Sequence, residues 1–269
     1  MSRTALAITF LVLAALPAAA QTTYAPPGDT LRFHDVTQGK VKITSPQGEI
    51  PISIENRSTI AVVRMAGDSA RAWYDSLSVL ASTPGGDMHP ATDSVLHRPF
   101  RLGFDARGKV TLREAPKFPA SFESISDLTH QFDDFFLRLP AKPLALGLAW
   151  TDTSSRTDST ADKTTHWSTI VNYRVERDTV VNGTPALVIS MRQKLRISGD
   201  APVPNTPMRA RSLIEGTDDG MVVFAPRAGR LLARRRTGAL SGDVVMTGAQ
   251  GEITMQQAFN YTGATDALR

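Results

Sequence analysis

Apolar and polar residues alternate along much of this chain. Leu31-Arg32-Phe33-His34-Asp35-Val36 opens with that alternation and Val41-Lys42-Ile43-Thr44 repeats it. A period of two places side chains on opposite faces of a strand, so both segments read as half-buried strands. Thr59 to Met65 is rich in β-branched residues, Gly67-Asp68 supplies a turn, and Ala70 to Ala81 runs back with Trp73, Tyr74, Leu77 and Val79. This pair reads as a hairpin. A helix with Trp73, Leu77 and Leu80 on one face is the rival for the second arm; the alternation of Leu77, Val79 and Ala81 favours the strand. Further strands are expected at Trp167 to Arg177, Ala186 to Ile197, Arg209 to Glu215, Gly220 to Phe224, Gly229 to Gly238, Asp243 to Thr247 and Ile253 to Tyr261. Turn residues at Val181 to Thr184, Gly216 to Gly220 and Gly248 to Gly251 separate them.

One segment changes period. Within 118–140, Phe122, Ile125, Leu128, Phe132, Phe135, Phe136 and Leu139 recur at spacings of three and four, with Glu123, Asp127, Asp133 and Asp134 between them. Ser121 can cap a helix start and Pro119 and Pro140 bracket the run. The spacing predicts a long amphipathic helix lying on the sheet. Its apolar face is either core or one wall of a ligand cavity, and in the second case Phe122, Ile125, Leu128, Phe132, Phe135 and Phe136 are the candidate ligand-binding residues.

The resulting fold class is mainly β (α+β): a large curved antiparallel sheet, a half-barrel or a sandwich, with one helix packed on it. Residues 1–20 read as a signal peptide, 21–30 as a polar arm, 31–117 and 141–269 as two β-rich halves. The halves share a hairpin pattern, since Leu102-Gly103-Phe104-Asp105-Ala106-Arg107-Gly108 resembles Val222-Val223-Phe224-Ala225-Pro226-Arg227-Ala228-Gly229. Internal duplication and chance turn chemistry both account for the match. The stretch Thr151 to Thr165, almost wholly polar, reads as a solvated hairpin loop or flap.

The signal rests on Arg3, the apolar run Ala5 to Leu16 and the small residues Ala18-Ala19-Ala20 before Gln21. The apolar run is shorter than the roughly twenty residues of a spanning helix. The mature chain is expected to start at Gln21, periplasmic or secreted. With no cysteine in its 269 residues, the chain is limited to packing for stability, and thiol catalysis and thiolate metal sites are excluded. A net charge of +4, with basic residues spread along the chain, does not point to nucleic acid. Arg234-Arg235-Arg236 reads either as a charged, solvated edge strand or as a contact for anionic envelope lipid; on a strand Arg234 and Arg236 share one side.

No nucleophile elbow, phosphate loop or zinc helix occurs. His34, His89, His97, His130 and His166 are scattered, and Asp152, Asp158 and Asp162 lack the glycine and glutamate of a calcium loop. No catalytic residue, metal or cofactor is therefore assigned. The hairpin pattern, with Leu139-Pro140 and Gly147 to Trp150 between two strand-rich halves, resembles families of uncharacterised exported bacterial proteins. More remotely it is similar to the half-barrel carriers of lipoproteins and lipids of the LolA and LolB type. That resemblance implies a curved sheet around an apolar concavity, and it transfers no functional residue. Three functions follow as expectations: a non-catalytic extracytoplasmic protein binding or carrying an apolar or amphipathic envelope ligand, a structural or interaction component of the envelope, and a hydrolase whose site is assembled from distant strands. The expected partner is an envelope lipid or lipoprotein.

Overall fold

The computed structural model describes residues 21–26, 28–119, 128–203, 206–249 and 251–268. They form one 12-stranded antiparallel sheet. Its strands are β1 (Leu31–Ser45), β2 (Gly48–Met65), β3 (Ser69–Thr83), β4 (Gly86–Met88), β5 (Phe100–Phe104) and β6 (Val110–Glu114), then β7 (Ala149–Ser159), β8 (Thr164–Val181), β9 (Thr184–Pro202), β10 (Arg209–Ala225), β11 (Arg230–Gly248) and β12 (Gly251–Ala267). Neighbours run β6-β5-β3-β2-β1-β12-β11-β10-β9-β8-β7, with β4 attached to β3. Each half is thus an up-and-down meander, and the first and last strands pair in the middle of the sheet, from Phe33↔Ala267 to Thr44↔Gln256. The sheet is not closed.

The seam lies between β6 and β7. An even number of antiparallel steps separates them, so the two edges run in the same direction. Parallel neighbours need a long crossover to connect them, and residues 115–148 are that crossover. It crosses the concave side of the sheet. Among the described residues of the helix expected over 118–140, namely 118–119 and 128–140, no helix forms. Residues 120–127, with Phe122 and Ile125, lie outside the described residues, and 128–136 is a run of turns that straightens at Leu137. Its bonds go from the Gln131, Asp133 and Phe135 N–H groups to the carbonyls of Leu128, His130 and Phe132, at 3.1–3.3 Å.

The reason is the number of walls the segment meets. A helix aims its apolar stripe at one surface, whereas Phe132 packs edge-on against Phe100 of β5, Phe135 against Phe33 of β1 and Phe136 against Phe104 of β5, with centroids 4.8–5.3 Å apart. Phenylalanine and aspartate are also weak helix formers. Tertiary burial of these rings on two strands, β5 and β1, overrides the local period.

Other expectations change: 229–238 and 243–247, expected as separate strands, are one strand, β11, and 31–36 and 41–44 are likewise one, β1. Gly216 to Gly220 is not a turn: Arg209–Ala225 is one strand, and Gly216 and Gly220 face inward, where a Cβ at Gly216 would come within 2.1 Å of the Ala239 carbonyl. Glycine there lets neighbouring backbones approach closely in a strongly curved sheet. Nor is 151–165 a loop; it is most of β7 and the start of β8, paired from Ala149↔Arg174 to Ser159↔Thr164. The β2–β3 hairpin forms as expected, with a bulge at Asp75 that keeps both Tyr74 and Leu77 inward. Asn182-Gly183, both at positive φ, make the tight β8–β9 turn.

Alternation decides the two faces of the sheet. Inward lie Phe33, Ile60, Tyr74, Phe100, Phe104, Val175, Ile189 and Phe224, all buried. Into their midst goes the polar arm. Tyr24 is buried, its ring edge-on to Phe104, Phe136 and Phe224, and its hydroxyl donates to the Leu137 carbonyl at 3.0 Å. The two similar hairpins, β5–β6 and β10–β11, hold this arm from either side: Tyr24 N–H bonds to the Ala106 carbonyl and Ala25 N–H to the Gly229 carbonyl, at 2.9 and 2.8 Å. Gly108 and Gly229 sit at positive φ in these turns, and a Cβ on either would collide with the arm.

Candidate functional site

The arm and the crossover fill one end of the curled sheet, the end carrying the β2–β3, β5–β6, β8–β9 and β10–β11 turns. Nearer the other end lies a cavity of about 540 Å³, within the range of small-molecule sites. Its apolar wall is made by inward residues of six strands, including Val41, Ile54, Leu195, Ile214, Leu240 and Phe259. Between this wall and the aromatic core runs a polar belt. All six buried polar residues found among the described residues face inward: Ser58, Thr169, Gln193, Asp218, Arg234 and Thr265.

The belt is built by cross-strand register. Asp35, Thr265 and Arg234 lie opposite one another on β1, β12 and β11, and Thr265 donates to Asp35 at 2.5 Å. Gly238 lies opposite both Asp218 and Tyr261. Its missing side chain makes room for the Tyr261 ring, which would stand 2.4 Å from a Cβ there, and lets the Tyr261 hydroxyl reach Asp218 at 2.7 Å. Burial pushes the Asp218 carboxyl above the usual aspartate range, against the pull of Arg236 and the Tyr261 hydrogen bond. Only one of its oxygens is bonded; Oδ1 is buried without a partner.

Arg234 is 8% exposed. Its guanidinium donates to the Asp134 carbonyl and lies 5.4 Å from the Phe135 centroid. Burial, and then Arg236, bring its pKa down to about 10, so it stays charged at neutral pH. The edge-strand reading of this cluster is overturned, because β11 is flanked by β12 and β10. Arg234 and Arg236 do share a side, the inner one, while Arg235 faces out and pairs with Asp266 at 2.7 Å.

A second polar cluster closes the seam. Arg156 of β7 bonds Asp133 and Asp158, both at 2.7 Å, and lies over the Trp167 ring. His130 stands between the same carboxylates, 3.2 Å from Asp133 and 3.4 Å from Asp158. This cluster fastens the crossover to β7, and Arg138 adds a contact to Asp152 at 3.1 Å. Across the seam, the Arg107 side chain donates to the Leu139 carbonyl at 2.9 Å. Among the described residues no His, Asp and Glu group has the geometry to hold a metal ion.

Of the sequence-predicted ligand residues, Leu128 and Phe135 border the cavity, and Phe132 and Phe136 lie in the aromatic core. Phe122 and Ile125 are outside the described residues. Sequence reasoning missed the wall residues on the strands and the inward role of Arg234. The signal for both was present in strand parity: Leu240, Gly238, Arg236 and Arg234 are two apart.

No protein-family model and no curated protein matches the chain. Among solved structures it is similar to Neisserial surface protein A, with 8% identity over 89% of this chain and 99% of that one and a TM-score of 0.25. It is also similar to the translocator domain of the autotransporter NalP from Neisseria meningitidis (8% identity, 89% and 88% covered, TM-score 0.18) and to a triple mutant of the Rhodopseudomonas blastica porin (11%, 89% and 100%, 0.20). These neighbours are outer-membrane β-barrel proteins. At such TM-scores the likeness carries no argument about this chain.

The faces of the sheet do carry one. A barrel that meets lipid turns an apolar band outward. Here the outward positions hold Arg32, His34, Lys40 and Lys42 on β1, and cross-strand ion pairs Arg192–Asp219 and Arg196–Glu215 at 2.7 and 2.9 Å. Most outward positions are polar or charged, with Ile170, Leu213 and Met221 exposed among them, and most large apolar side chains face in.

Proposed function

We propose that the chain is a non-catalytic extracytoplasmic protein that holds an apolar or amphipathic ligand of the cell envelope, a lipid or a lipid-bearing chain, inside its curled sheet. One observation carries the reading: a cavity of about 540 Å³ with an apolar wall, at the part of the concave face that the described residues of the arm and the crossover leave open. The charged outer face supports a protein that carries such a ligand through water. The export signal expected in residues 1–20 supports a place outside the cytoplasm, and mass spectrometry of exported protein should find Gln21 first.

The direct test is binding of a neutral apolar fluorescent probe, N-phenyl-1-naphthylamine, together with native mass spectrometry of freshly isolated protein. Binding of the probe, with loss of about tenfold in affinity when Leu195→Trp and Leu240→Trp narrow the cavity, is expected. A folded protein that binds no probe and carries no lipid would leave an envelope structural or interaction role as the reading.

A further inference from the structure

One cation beside the cavity stands without a carboxylate partner among the described residues. A guanidinium offers five N–H donors, and a buried charge is ordinarily paired. Arg234 is buried and borders the cavity, yet among the described residues no carboxylate lies within 4.0 Å of it; its bond goes to the Asp134 backbone. The nearby carboxylates have donors of their own. Asp35 accepts from Thr265, Asp218 accepts from Tyr261 and faces Arg236 at 3.5 Å, and Asp134 points toward Arg138 at 3.8 Å. Arg236, two residues on, borders the same cavity and lies 5.5 Å from the Tyr261 centroid. Two cations on one inner face thus stand at the base of an apolar wall, and the more deeply buried of them has no carboxylate partner among the described residues.

Building on the proposed ligand cavity, we infer that it takes an anionic amphiphile, an acyl chain ending in a carboxylate or phosphate, with the head group bound by Arg234 and Arg236 and the chain against Ile54, Ile214, Leu240 and Phe259. The oxyanion supplies Arg234 with its missing partner, and charge-assisted bonds to a guanidinium are the strong ones in a site sheltered from water. The chain leaves toward the unfilled end, where the wall is apolar. A neutral chain satisfies the wall and leaves the cation unpaired.

The test compares ligands of equal chain length in the unaltered protein, below their micelle-forming concentrations: dodecanoate and dodecyl phosphate against dodecanol, each displacing the neutral probe, with inorganic phosphate alone as a further arm. Dodecanoate or dodecyl phosphate is expected to bind about tenfold or more tightly than dodecanol, and Arg234→Met to abolish that preference while dodecanol binding persists. Arg236→Gln, at a more exposed position, should reduce the preference and serves if Arg234→Met fails to fold. Equal binding of dodecanoate, dodecyl phosphate and dodecanol overturns the inference and leaves the cavity reading standing. Failure of every chain to bind overturns both. Binding of inorganic phosphate as tight as that of dodecyl phosphate makes this a free-oxyanion site and removes the amphiphile.

Discussion

The two ends of the curled sheet share β1, β2 and β9–β12, with the same alternation, and they end up as different things. At one end inward Phe33, Phe100, Phe104 and Phe224 meet Tyr24 and the crossover rings and are buried completely. Toward the other, inward Val41, Ile54, Leu240 and Phe259 border an unfilled cavity. A strand can present an apolar wall, but it cannot decide whether the wall becomes core. That is decided by chain that is not strand: the arm 21–26 and the turns of 128–140, held where the two matching hairpins and the seam put them.

Truncation at the filled end should have the largest effect. Phe132→Ala and Phe136→Ala should each lower stability by roughly 3–5 kcal/mol, the cost of removing a buried ring and leaving a hole, measured by urea denaturation. A loss below about 1 kcal/mol would mean that the crossover does not act as core, and the contrast between the ends would collapse.

The belt between the ends should show itself through pH. The folded Asp218 carboxyl keeps its proton to higher pH than the same group in the unfolded chain. Between those two values the folded state binds more protons at this site, so the carboxyl's contribution to stability falls as pH rises from about 4 and levels off above the raised value. Asp218→Asn should remove that fall and raise stability at neutral pH by on the order of 1 kcal/mol. Denaturation midpoints across pH 3–8 check it, and a wild-type contribution that grows with pH would contradict the buried, half-bonded carboxyl.

The smallest effect is expected at the unfilled end. Leu240→Ala should cost less than about 1 kcal/mol, because this half-buried side chain borders space rather than packed atoms, while probe binding weakens. A stability loss comparable to that of Phe136→Ala would show that the two ends are both core.

Much of the sheet was legible residue by residue. Leu31 to Val36 and Val41 to Thr44, read as two strands, are both strand and belong to one, while Gly67-Asp68 turns the β2–β3 hairpin and Asn182-Gly183 turns β8 into β9. Three features misled for physical reasons. Phe122 to Leu139 carry a helical period, yet Phe132 and Phe136 pack on β5 while Phe135, between them in sequence, packs on β1. Gly216 and Gly220 look like turn residues, but in β10 they relieve crowding on the concave face. Thr151 to Ser159 is too polar for core and still forms a strand, because its inward Arg156 and Asp158 face the seam cluster rather than the aromatic core.

The candidate site was less legible than the fold. Of the residues expected to touch ligand, Leu128 and Phe135 border the cavity, while its main wall comes from strand positions that read only as ordinary half-buried residues. Of the two readings of Arg234 to Arg236, an edge charge or an anionic-lipid contact, the edge reading fails, because β12 and β10 cover both sides of β11, which nothing within the strand announces.

By itself the sequence determined the β character of the chain, the side of each strand that points away from water, and several of its turns. These are local properties, set by a period of two and by backbone preferences at single residues. The tertiary structure alone decided that the first and last strands pair, that a parallel seam is bridged by the crossover, and that one end is packed while the other stays unfilled. Those outcomes rest on contacts such as the Tyr24 hydroxyl to the Leu137 carbonyl and Thr265 to Asp35, between residues more than a hundred positions apart, whose meeting no local period encodes.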